Sequence, residues 1–123
     1  MANLIENIVF GALKSLVDNG DGTYRCYPDV APANAVRPYL TYQSVGGQSL
    51  NILDGNEDLQ NARVQVNAWA NDRLTASTLI QSAIAALTSP TIKGISIGAP
   101  VSTFEMDTRM YGSRQDFSIW YYP

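Results

Sequence analysis

The sequence predicts an α+β fold: a two-layer sandwich in which a mostly antiparallel sheet of four to five strands carries two helices on one face. Three observations predict it. Residues 4–16 and 73–87 repeat apolar side chains at three- and four-residue spacing, the period of an amphipathic helix. Residues 62–70 and the end of 109–121 alternate with period two, as half-buried strands do. The order helix, short strand, strand, strand, helix, strand, strand lets hairpin-joined strands lay one face against both helices.

The first helix carries Leu4, Ile5, Ile8, Val9, Ala12, Leu13 and Leu16 on one stripe. Asn3 is its expected N-cap, with Glu6 three residues on. The run Asp18-Asn19-Gly20-Asp21-Gly22 stops it, since glycines accept positive φ. A short strand is expected over Thr23–Tyr27. Residues 28–38 hold three prolines and three alanines with no period, and read as an ordered surface loop.

Tyr39–Val45 is the next strand, rich in aromatic and β-branched residues. Gly46-Gly47 interrupts it, and Asp54-Gly55 is a turn signal in the polar stretch that follows. In Ala62–Ala70, Ala62, Val64, Val66, Ala68 and Ala70 share one face, and Arg63, Gln65, Asn67 and Trp69 the other. These two strands are expected to form a hairpin with a long excursion at its tip. Asp72 suits the N-cap of a second helix, Arg73–Leu87, and Ser89-Pro90 ends it. Strands follow at Ile95–Phe104 and Arg109–Tyr121, reversing near Asp107-Thr108. Phe117, Ile119 and Tyr121 share one face of the last strand; Arg114, Asp116, Ser118 and Trp120 share the other.

The 123 residues fit one domain, large enough for a core without staples. Hydrophobic residues make up 46% and charged residues 15%, a low charge density that points to neutral, intersubunit surface. The net charge is −3, and the eight basic residues are scattered. Tight nucleic-acid binding needs a concentrated basic patch, so neither specific DNA or RNA binding nor an anionic membrane partner is expected. The single cysteine makes no internal disulfide, no apolar run reaches the roughly 18–20 residues of a span, and a soluble protein made in a cytoplasm is expected.

Chemistry is scarce. No histidine is present, which removes the commonest general base and metal ligand. Cys26 sits beside Arg25, but with no partner base it reads as a small strand residue. Asp54, Glu57 and Asp58, and Glu105 with Asp107, are carboxylate groups in turns; solvated turn formers explain them better than acid–base pairs. The first group lacks EF-hand spacing. Gly46-Gly47 has neither the Lys-Ser/Thr nor the helix of a phosphate loop. No catalytic, metal or cofactor site is expected.

The candidates are contacts instead. Trp69 and Trp120 fall on the polar faces of their strands, to be covered within the subunit or by another. Arg63 and Arg114 lie on those faces, and Tyr111, Tyr121 and Tyr122 enrich the last strand in aromatics. Leu50, Ile52, Leu53 and Asp54 lie in the excursion, where large apolar residues in a loop suggest a contact arm.

Four stretches occur in an order and spacing that resemble a known family. They are Tyr27-Pro28-Asp29-Val30-Ala31-Pro32; Arg37-Pro38-Tyr39-Leu40-Thr41-Tyr42-Gln43; Asn61 to Ala70; and Asp107 to Tyr111 followed by Gln115 to Trp120. Together they resemble the tail completion family of siphophages and related prophages, over nearly the whole chain. The Asp18-to-Gly22 turn is longer and richer in glycine than usual there. The resemblance implies a non-enzymatic α+β protein of the virion that forms a ring, commonly a hexamer. Such a ring caps the head-proximal end of the tail tube, ends its growth and docks the head connector, while DNA passes its lumen unbound. Its partners would be itself, the tail tube protein and the head connector or stopper. Alternatives are another connector ring protein (a head-completion or stopper protein), a tail-tube subunit, or a monomeric host-interaction module.

Overall fold

The computed structural model describes residues 4–48 and 59–123. Its elements are α1 (Ile5–Leu13), a 3₁₀ turn (Lys14–Val17), β1 (Cys26–Pro28), β2 (Tyr39–Ser44), β3 (Gln60–Ala70), α2 (Arg73–Leu87), β4 (Ile95–Glu105) and β5 (Met110–Tyr121). The strands form one sheet in the order β1-β2-β3-β5-β4. Both expected hairpin pairs exist: β2 runs antiparallel to β3, and β4 to β5. The sheet is mixed, because the short β1 pairs parallel to β2. No turn joins those two strands; the 29–38 loop returns the chain to the same end, which is what a parallel pair requires.

Both β3 and β4 run antiparallel to β5, so they are parallel to each other, with α2 as the crossover and β5 inserted between them. The crossover carries α2 over β3 and β5, the strands it packs against most. The core is a single cluster in which Ile5, Val9 and Leu13 of α1 and Leu79, Ile80, Ala83 and Leu87 of α2 meet Leu40, Val64, Val66, Phe117 and Ile119 of the sheet. Every position expected on the inner face of β3 is buried. Both helices therefore lie on one face, as the sequence predicts.

The local signals hold at α2. Asp72 Oδ1 accepts from the Thr75 backbone N–H at 2.7 Å, and Asp72 Oδ2 from the Thr75 hydroxyl at 2.9 Å. At α1 the regular helix stops earlier than its pattern, and its last apolar positions continue in the 3₁₀ turn, where Val17 is buried. The expected cap Asn3 lies outside the described residues; the N-cap position is Leu4. β1 begins three residues later than expected, because Thr23 and Tyr24 serve the preceding turn. That turn is closed by Asn19 N–H to Thr23 O at 3.0 Å and by an Asp18–Tyr24 bridge.

The 29–38 loop is ordered, as expected. Arg25 Nε donates to Pro38 O at 2.8 Å, Arg37 reaches Asn71 Oδ1 and Thr108 O, and Asp29 N–H donates to Tyr42 O at 2.8 Å. The Arg37–Pro38 peptide is cis.

Candidate functional site

Cross-strand partners share a face of the sheet, so the register defines the face opposite the helices. It carries Arg63, Gln65, Asn67 and Trp69 of β3, Arg114, Asp116, Ser118 and Trp120 of β5, and Ile95, Ile97 and Val101 of β4. Its centre is polar. Arg63 and Asp116 form an ion pair at 2.9 Å, and Gln65 Nε2 donates to the other carboxylate oxygen at 3.3 Å. Arg63 is half exposed, so this pair fixes orientation and adds at most about 1 kcal/mol. Arg114 lies beside it, half-buried.

The outer rim of this face is apolar. Ile95 is 62% exposed, Val101 45% and Trp120 37%. β4 is the edge strand, eleven residues long, with Glu105 as its single charge. Soluble proteins blunt such edges with charges, prolines or bulges. Here the devices are Pro100 and a register shift between Ile97 and Val101, where Gly98 takes φ +73°. Gln115, buried on the helix side, closes that bulge: its Nε2 donates to Ile97 O and Gly98 O, both at 3.1 Å. The other edge, β1, is three residues long and offers little to pair with.

The two tryptophans part company. Trp69 is half-buried within the subunit: its indole lies against Gly112, directly opposite in register, beside Thr103. Trp120 stands at the open end of the sheet, near Tyr122, which is 64% exposed. Tyr111 lies on the helix side, packed against Phe104 at 4.9 Å between ring centroids and under the Arg73 guanidinium at 5.4 Å. Arg73 also donates to Gly112 O and Thr103 O, tying the start of α2 to the β4–β5 hairpin. Sequence reasoning singled out neither Arg73 nor Gln115, because both act on backbone carbonyls that only the register brings near. Leu50, Ile52, Leu53 and Asp54 lie outside the described residues.

Among the described residues reactive groups are not brought together. Burial pushes the Cys26 thiol up to about 12, which keeps it protonated and inert. Glu105 Oε1 accepts from Thr108 Oγ1 at 2.9 Å, so it closes the 106–109 turn. Among the described residues no cluster of three metal-ligating side chains exists, and no helix is long and apolar enough to cross a membrane.

A five-stranded sheet with both helices on one face and an uncovered apolar rim fits a part of an assembly, and comparison with known families decides which assembly. The family described as "Tail completion protein gp17" matches residues 10–122. The chain belongs to the tail completion protein gp17 family. It is thus a structural protein of a phage tail, in a virion, where it associates with other tail or head components. The match runs from α1 to the end of β5, so the uncovered face and edge of this tail completion protein belong to the family domain. A search of curated proteins finds no match.

Proposed function

We propose that this tail completion protein closes the head-proximal end of the tail tube as a ring of identical subunits, most simply a hexamer. The ring ends tube growth and presents the surface to which the head connector joins. One observation supports this above the others: the long outer strand β4, with Ile95, Ile97 and Val101 exposed beside Trp120 and a single charge. An edge of that kind left open in solution invites unwanted pairing. Covering by a neighbouring subunit or by the tube resolves the problem.

The acidic balance suits a lumen that passes DNA, because a net charge of −3 repels phosphate rather than holding it. The excursion between β2 and β3 is the proposed contact arm, through Leu50, Ile52 and Leu53. No step of this function needs catalysis.

Deleting the gene and imaging the lysate by electron microscopy tests the role. Filled heads beside unattached, often overlong tails are expected. Normal-length tails with leaking heads would reassign the protein to head completion, and intact virions would remove it from assembly altogether. Removing residues 49–56 should leave a folded protein that no longer caps tails; retained capping would exclude the arm.

A further inference from the structure

Between α1, the end of α2 and the end of β5 lies an open groove of about 690 Å³. Ile8, Gly11 and Ala12 of α1 line it, with Ile92, Trp120 and Tyr122. None of the described lining residues is charged. Lys93, next to Ile92, is exposed and makes no ion pair among the described residues. Gly11 is a second observation. A glycine weakens a helix interior relative to alanine, yet among the described residues nothing outside its own helix turn lies within 4 Å of where its Cβ would stand. The subunit's own packing does not require a glycine there; a close approach from outside would.

We propose that this groove receives residues 49–58 of a second copy of the chain, an inference that rests on the ring reading above. The chemistry matches. The segment carries Leu50, Ile52 and Leu53 for an apolar groove, followed by Asp54, Glu57 and Asp58 for Lys93. The described chain brings the start of the segment to this end of the sheet. Gln48 N–H donates to Asn61 Oδ1 at 2.9 Å, and Asn61 in turn donates to Ser118 Oγ at 2.9 Å. Asn61 and Ser118 share the helix-free face, and Asn61 lies opposite Trp120 in register, so the chain enters the segment at the rim of the groove. An arm on one subunit meeting a groove on the next is also a heterologous contact. That contact type closes a ring, whereas a two-fold pairing of β4 with β4 would stop at a dimer.

The test complements the gene deletion with equal amounts of two single variants, Gly11→Cys and Leu53→Cys, and oxidises the purified tails. Cys26 is buried and does not compete. A disulfide-linked dimer that needs both variants is expected. If tails are capped but no such dimer forms, the groove assignment fails while the ring stands. A disulfide within one chain of the Gly11→Cys/Leu53→Cys double variant would place the arm in its own groove and overturn the proposal. If the wild-type gene shows no terminator phenotype, the ring reading fails and the proposal with it. Should Leu53→Cys abolish capping, Asp54→Cys gives the same readout. Gly11→Trp, which fills the groove from an uncrowded position, should keep the subunit folded and lose capping at least tenfold; unchanged capping would count against the proposal.

Discussion

Gly112 shows how one residue sets the outer face. A Cβ there would stand 2.7 Å from Trp69 Cζ3 and against the Thr103 hydroxyl. The indole fits against the strand only because that side chain is missing. Gly112→Ala should cost about 1–3 kcal/mol, the usual range for overpacking a filled site. Urea unfolding measures the loss, and a red-shifted Trp69 emission would locate it; unchanged stability would mean that the indole is free to move. Cys26 works in the opposite sense, since burial and a thiol pKa of about 12 leave it no chemistry. A maleimide should label the folded protein hardly at all at pH 8 and label it fully in denaturant. Fast labelling of the native state would show that β1 opens.

Among the elements, α2 is fixed by local chemistry and α1 by packing. Asp72 caps α2 through Thr75, whereas α1 has no side-chain cap hydrogen bond and holds by burying Ile5, Val9 and Leu13. Gly11 weakens α1 further, and space around it is open. Gly11→Ala should therefore stabilise the isolated subunit by about 0.5–1 kcal/mol. A thermal melt checks this, and a loss of stability would reveal crowding at that position. Among the described residues β4 is held on one side, by β5, Gln115 and Arg73. Its exposed apolar residues make it the element most in need of a neighbour.

For the whole molecule, hydrogen bonding and burial bound the pH range of stability. Asp21, through the Thr23 hydroxyl, and Asp72, through the Thr75 backbone N–H, have pKa values held below their ordinary 3.8. Their contribution is present above about pH 4 and is lost as pH falls through the lowered folded values. Burial raises Cys26 from 9.0 and Tyr42 from 10.0, each to about 12. Their protonated forms favour the folded state, so stability falls as pH rises from about 9 toward 12. Thermal unfolding should be flat between about pH 4 and 9 and decline on both sides. Asp72→Asn, which keeps an acceptor for Thr75, should soften the acid limb; an unchanged limb would assign it to other carboxylates.

The sequence by itself determined both helices, the hairpin pairs and the inner faces of β3 and β5. Each is set by a periodicity or a cap within a few residues, as with Val64, Val66 and Ala68, or with Asp72 and Thr75. The ordered stretches from Tyr27 to Trp120 also resembled the family that the chain proved to belong to. Only the tertiary structure decided the parallel placement of β1, the insertion of β5 between β3 and β4, and which tryptophan stays open. Those depend on partners far apart in the chain, Trp69 with Gly112 or Cys26 with Leu40. The alternation of side chains assigns a residue to a face but does not say what covers it. That covering is set by where distant strands pair, and here it half-buries Trp69 and leaves Trp120 and β4 exposed.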